Sequence, residues 1–140
     1  LYNLERELDQ ALQEKIWLNS GGFLIIQQTE AFVAIDVNTG KHSSKKDAEE
    51  NYKLINREAA LEIARQLRLR NLSGMILVDF INMKNTNDQS ELLQYMGSLV
   101  RSDPMQTVVV DVTALGIMEI TRKKSAKTLA EQLLQLKKGE

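Results

Sequence analysis

A short, nearly continuous apolar run with an aspartate near its end constrains the fold of this chain more than any other feature. The run extends from Met75 to Phe80, and its one charged residue, Asp79, comes near its end. Continuous apolar strands of this length are typical of sheets that helices cover. We therefore expect a central strand, covered on both faces, inside an α/β domain.

A second segment repeats this design. Residues 31–37 are rich in β-forming side chains and too few for a helix, and they deliver Asp36 just before Asn38 and Gly40. Ligand sites in α/β sheets form in the crevice beyond the carboxyl ends of the strands. We therefore expect Asp36 and Asp79 to face each other across neighbouring strands.

The rest of the chain alternates between helical and strand patterns. Helices are expected where apolar residues recur at spacings of three or four, at residues 4–16, 55–67, 92–100 and 129–136. Further strands are expected at residues 23–27, 106–112 and 115–120. The order α-β-β-α-β-α-β-β-α predicts a mixed sheet flanked by helices. We divide the chain into an N-terminal helix, residues 1–17, that leads from upstream domains, and an α/β domain, residues 18–140.

Composition excludes several classes of chemistry. The 140 residues include no cysteine and a single histidine, so thiolate zinc sites, disulfides and cysteine nucleophiles are ruled out. With 18 basic and 19 acidic residues the net charge is -1, and no overall positive field favours nucleic acid. No apolar segment approaches the roughly 18 residues of a membrane span, and no leader sequence opens the chain, so we expect a cytoplasmic protein.

The two aspartates suit a hard divalent cation. Magnesium prefers oxygen ligands and keeps several waters, so Asp36 and Asp79 are enough to hold it. Asn38 lies on the same side of an extended chain as Asp36 and can orient that carboxylate. Such a site supports phosphodiester hydrolysis. Taken alone, each aspartate fits equally well a structural role in capping a turn or a helix.

Longer motifs resemble a known family. Blocks similar to the catalytic domain of the ribonuclease E/G family occur in the family's order at residues 20–22, 28–31, 35–40, 56–72, 78–81 and 115–123. The block Glu62-Ile63-Ala64-Arg65-Gln66-Leu67-Arg68-Leu69-Arg70-Asn71-Leu72 is the most specific. The resemblance covers the chain from about Leu18 to Lys124.

This resemblance implies the DNase I-like part of the family's catalytic core. The family's metal-binding aspartates fall on Asp36 and Asp79, and its supporting asparagine falls on Asn38. The implied reaction is magnesium-dependent endonucleolytic cleavage of single-stranded RNA, in RNA processing and decay, leaving a 5'-phosphate and a 3'-hydroxyl. The family assembles through a paired-cysteine zinc link. No zinc is expected in these residues, and a homo-oligomer of the full-length protein stays an open alternative.

The chain departs from the family pattern in several places. Asn82 stands where a second acid is usual, Gln106 where an arginine often helps to recognise a 5'-phosphate, and Ala114-Leu115 where an arginine-aromatic pair is common. The family's S1-type RNA-binding domain and paired cysteines are absent from these residues. We therefore expect the isolated fragment to be weak or inactive. The alternatives are an interaction or scaffold module of the same fold, and a metal-dependent phosphatase or DNA nuclease.

The remaining polar and aromatic features favour ordinary structural roles. We interpret His42 as solvated, Trp17 as a packing anchor, and the Arg65, Arg68 and Arg70 cluster as a solvated helix end rather than an RNA contact. The basic segment with Lys41, Lys45 and Lys46 follows the candidate site, but a charge run is usually a solvated face.

Overall fold

The chain folds into an α/β domain. The computed structural model describes residues 12–40, 47–124 and 129–138. The strands in this part of the chain are β1 Lys15–Trp17, β2 Phe23–Gln28, β3 Val33–Asn38, β4 Gly74–Asp79, β5 Thr107–Val112 and β6 Met118–Arg122. The helices are α1 Ala48–Leu69, α2 Thr86–Arg101 and α3 Leu129–Lys138. None of these helices is long and apolar enough to cross a membrane.

The strands form a mixed six-stranded sheet in the order β1-β2-β3-β4-β6-β5, which confirms the predicted class. The central neighbours β3 and β4 run parallel, and the other neighbouring pairs run antiparallel. Helix α1 makes the crossover between β3 and β4. Because these two strands are parallel, their carboxyl ends meet at one edge of the sheet.

One face of the sheet carries the core. Strand residues such as Ile35, Val78 and Ile120 alternate inward and pack with the apolar stripes of α1 and α2 in a single cluster. Ala59 and Ala60 of α1 are fully buried, and their small side chains let the helix approach its neighbours closely.

The opposite face is less covered. We call it the open face, and its side chains include Lys15, Trp17, Phe23, Ile25, Asp36, Asn38, Met75, Leu77 and Asp79. Met75 is 43% exposed and Leu77 is half-buried, so within residues 12–40, 47–124 and 129–138 the prediction that helices cover both faces of β4 is wrong. The apolar run does form a strand, but helices α1 and α2 both pack on the face of the sheet that carries the core.

The expected helices extend further in the structure, and two other elements differ in kind or in where they begin. The predicted helix over residues 1–17 does not reach its end, because Lys15–Trp17 form β1 and pair antiparallel with β2. Pairing with a neighbouring strand overrides the helical spacing of Leu12 and Ile16. Residues 1–11 lie outside the described part of the chain. The last strand begins at Met118 rather than Leu115, because Leu115 and Gly116 belong to the β5–β6 turn.

Arginines contribute to the interior. Arg70 is 4% exposed, so its assignment to a solvated cluster is wrong. It donates to the Gln66 side chain and to the Gln13 carbonyl, tying the end of α1 to the segment before β1. Burial lowers the pKa of the Arg70 guanidinium from its usual value. Arg65, by contrast, is exposed and pairs with Glu62 across 3.0 Å.

A buried ion pair lies at the end of the sheet opposite Asp79, where β4 begins. Arg122 of β6 contacts both carboxylate oxygens of Asp103, at 2.8 and 3.1 Å, and donates to Asn71 and the Leu72 carbonyl. Burial alone would raise the pKa of Asp103, but hydrogen bonds from Arg122, Thr107 and the Met105 amide hold it below its usual value. The pair joins the segments that follow α1 and α2 to β6.

Candidate functional site

The two predicted aspartates lie side by side. Asp36 of β3 and Asp79 of β4 are register partners in the parallel pair, so both side chains leave the same face of the sheet. Neighbouring strands are about 4.8 Å apart, which places the two carboxylates within reach of a common ligand. Both residues are exposed. The predicted juxtaposition across neighbouring strands is therefore confirmed as geometry.

Asn38 supports the pair from two residues along β3. Its side-chain amide donates to Oδ2 of Asp36 across 3.2 Å, which fixes one oxygen of that carboxylate. Burial raises the pKa of the Asp79 carboxyl above its usual value, and the facing Asp36 carboxylate adds to the rise. The site thus concentrates negative charge that a cation would relieve.

Close-packed glycines hold the end of β3. A side chain at Gly22 would meet the Asn38 carbonyl at 2.8 Å, and one at Gly40 would overlap the Gly21 carbonyl. Gly40 also has a φ of +67°, a backbone conformation that other residues rarely adopt. Helix α1 secures this loop, since the Ser20 amide donates to the Glu58 carboxylate across 3.1 Å. Gly21-Gly22 and Gly40, the two glycine motifs, therefore form one support behind Asn38.

A buried asparagine holds the chain that follows Asp79. Asn56 of α1 is 0% exposed, and its amide donates to the Ile81 carbonyl at 2.8 Å while its oxygen accepts from the Ile81 N–H at 2.9 Å. This paired contact satisfies both backbone groups of a residue just beyond β4. Asn56 is thus a positioning residue for Asp79.

The donor set fits a hard cation. Asp36 and Asp79 supply carboxylate oxygens, and Asn38 orients the first of them. Within residues 12–40, 47–124 and 129–138, no three histidine, cysteine or acidic side chains group as metal ligands. Magnesium is commonly held by one or two carboxylates and waters, so two are sufficient.

Two of the departures from the family pattern lie together. Asn82 and the Ala114-Leu115 pair line a cavity of about 510 Å³ between the β4–α2 loop and the β5–β6 turn. This cavity opens at the same sheet edge as Asp79, because Asn82 follows it by three residues. Gln106 precedes β5 and lies at the other edge, where its carbonyl accepts from the Lys123 amide.

Other sequence expectations have mixed outcomes. Trp17 is not a packing anchor, since it is 63% exposed on the open face. The residues His42, Lys41, Lys45 and Lys46 lie outside the described part of the chain. The role of Asn56 was missed, although a polar residue on the buried stripe of α1 was a readable signal. No signal pointed to the bond between Glu58 and the Ser20 amide.

Fold and site together define an α/β domain with a paired-aspartate centre at the carboxyl edge of parallel strands. Comparison with known proteins makes this specific. The model of the Ribonuclease E/G family matches residues 1–125, and the chain belongs to that family.

Its relatives are much longer proteins. The chain is 40% identical over 130 residues to Ribonuclease E of a Nostoc species, covering 93% of this chain and 19% of that protein. It is 40% identical over 133 residues to Ribonuclease G of Escherichia coli, covering 95% of this chain and 27% of that protein. The chain therefore spans about a fifth to a quarter of the length of these relatives.

Proposed function

We propose that this chain is the catalytic domain of a magnesium-dependent endoribonuclease that acts on single-stranded RNA. The observation that carries the proposal is the in-register facing of Asp36 and Asp79 on parallel strands, in a chain of the Ribonuclease E/G family. The products would be a 5'-phosphate and a 3'-hydroxyl. The setting would be RNA processing and decay in the cytoplasm, with homo-oligomers as a proposed state of the full-length protein.

Each residue has a distinct task in this proposal. Asp36 and Asp79 would hold the cation, and Asn38 keeps the Asp36 carboxylate in one orientation by its hydrogen bond. The bound cation would supply positive charge beside a phosphate and lower the pKa of a water. Asn56 and the paired glycine motifs hold the two strand ends that carry these side chains. Much of the site's precision thus depends on α1 and the β1–β2 turn.

Substitution of the aspartates tests the proposal. Asp36→Asn and Asp79→Asn in the full-length protein should each reduce cleavage of a labelled single-stranded RNA in magnesium at least about 100-fold, and EDTA should abolish it in the unaltered protein. Glu30→Gln is the matched control, because this exposed carboxylate lies in the β2–β3 turn, at the opposite end of β3. Cleavage that survives both aspartate substitutions would refute the site.

The same assay separates the alternatives. A scaffold module would leave RNA uncut with magnesium present. A DNA nuclease or phosphatase that uses the same carboxylates would turn over DNA or a phosphomonoester faster than RNA. Turnover of RNA above both substrates supports the proposed reaction.

A further inference from the structure

An exposed aromatic pair lies beside the aspartate site. Trp17 of β1 is 63% exposed, and its ring lies 5.2 Å from that of Phe23 on β2, tilted by 58°. Tryptophan is highly buried on average in proteins, so a largely exposed one on a sheet face is unusual. Tilted contact with Phe23 leaves much of the indole open to solvent. The exposed indole of Trp17 therefore offers a flat aromatic surface to a ligand, with the Phe23 ring beside it.

A lysine adds positive charge to this surface. The Lys15 ammonium lies 4.3 Å from the Trp17 ring centroid and 4.2 Å from the Phe23 centroid. Such cation–π contacts hold the charge at the rings. The side chain is exposed, so it can leave the rings and meet a phosphate when a ligand covers them. Aromatic rings combined with a mobile cation are the usual elements of single-strand nucleic-acid binding.

Sheet register places this surface next to the candidate site. Trp17 pairs with Phe23, and Phe23 pairs with Asn38, so the three form one row on the open face. In the adjacent row, Lys15 pairs with Ile25, and Ile25 pairs with Asp36. Two strand spacings put Trp17 about 10 Å from Asn38. A short run of RNA with its phosphate at the aspartates would reach the rings.

We propose that Trp17, Phe23 and Lys15 form a nucleotide subsite, where one base of single-stranded RNA stacks on Trp17 and Lys15 contacts the adjoining phosphate. The inference rests on the proposed function for its choice of ligand. Stacking uses the π-face that every base has, so the subsite accepts any base at this position. It supplies RNA contact within the domain itself, in addition to whatever other parts of the protein provide.

Binding without cleavage tests the subsite. The affinity of the full-length protein for a fluorescein-labelled oligouridylate is measured by anisotropy in EDTA. Trp17→Ala should weaken binding between about 5-fold and 150-fold, the range for loss of one stacked base. Trp17→Phe should restore most of the affinity, because it keeps an aromatic face. Leu54→Ala is the matched control, since Leu54 is 51% exposed on α1. This variant should bind the RNA as tightly as the unaltered protein does.

Salt dependence isolates the lysine. Lys15→Gln should reduce the slope of log affinity against log salt by about 0.7, the value for one phosphate contact on a single strand. Trp17→Ala should lower affinity and leave that slope unchanged. An unchanged slope for Lys15→Gln would refute the phosphate contact.

Fluorescence gives a readout that needs no destabilising substitution. Trp17 is the only tryptophan of the 140 residues, and a stacked base should quench it. The difference between the unaltered protein and Trp17→Phe isolates its signal. Absence of quenching at saturating RNA, or full affinity in Trp17→Ala, would overturn the subsite and would point to a protein partner for this face.

Failure of the proposed function would look different. If the unaltered protein bound RNA through Trp17 but never cut it, the subsite would stand and the nuclease proposal would fall. If cleavage needed Asp36 but binding ignored Trp17, the reverse would hold.

Discussion

Asn56 offers the sharpest test of how the fold positions the site. Asn56→Leu keeps a side chain of similar size but removes both hydrogen bonds to the backbone of Ile81. Two lost bonds cost about 1 kcal/mol each, and the unpaired Ile81 groups add about 1 to 2 kcal/mol more. We therefore expect the free energy of unfolding to fall by about 3–4 kcal/mol. For a domain of this size the melting temperature should fall by about 10 °C.

The site should suffer as well. Ile81 is two residues beyond Asp79, and a misplacement of about 1 Å can reduce a rate about 100-fold. We expect kcat for RNA cleavage to fall by about 10-fold to 100-fold with little change in KM, because Asn56 is fully buried and cannot contact RNA. Thermal unfolding and steady-state kinetics of the purified variant measure both effects.

Hydrogen exchange tests the positioning role of Asn56 directly. The Ile81 amide should lose protection in Asn56→Leu, because its acceptor is gone. Gln94→Leu on the exposed side of α2 is the matched control and should change stability by less than about 0.5 kcal/mol. Unchanged Ile81 protection, or stability equal to that of the control, would refute the positioning role.

Further predictions concern charge and packing. Asp79→Asn should give a small gain in stability at pH values above about 4, because burial and the facing Asp36 raise the pKa of the Asp79 carboxyl and make its charge costly. Denaturant melts should show this gain at pH 7 and its disappearance below about pH 4. Arg122→Met should cost about 3–5 kcal/mol in the same melts, because it leaves Asp103 buried without its partner. The lowered pKa of Asp103 gives stability that is present above about pH 4 and is lost on further acidification, so Asp103→Asn should flatten the acid limb of the stability curve. Gly40→Ala should destabilise the protein and reduce RNA cleavage more than Gly97→Ala, a helical glycine whose added methyl meets open space.

The pairing of Asp36 with Asp79 was accessible from sequence. Both aspartates end apolar runs that read as strands, and a helix lies between them along the chain. A helical crossover makes such strands parallel, so their polar ends meet at one sheet edge. Local pattern and topology rules were therefore enough to predict that the two aspartates lie side by side.

Contacts between distant segments were not accessible. Helical spacing over residues 4–16 pointed to a helix, yet Ile16 lies in a strand because β2 offers it a partner. Arg70 looked like a solvated helix end, but one of its two acceptors is the carbonyl of Gln13, far away along the chain. The exposure of Trp17 likewise depends on what covers the sheet, which spacing along the chain does not report. Such features follow from tertiary packing.

A double-mutant cycle on kcat/KM tests whether Asp36 and Asp79 act as one centre. Each aspartate-to-asparagine change should reduce kcat/KM for single-stranded RNA at least about 100-fold, and the double variant should be no worse than the poorer single one, because residues that act as a unit are non-additive. Losses that multiply in the double variant would show that the two carboxylates work independently and would contradict the shared centre.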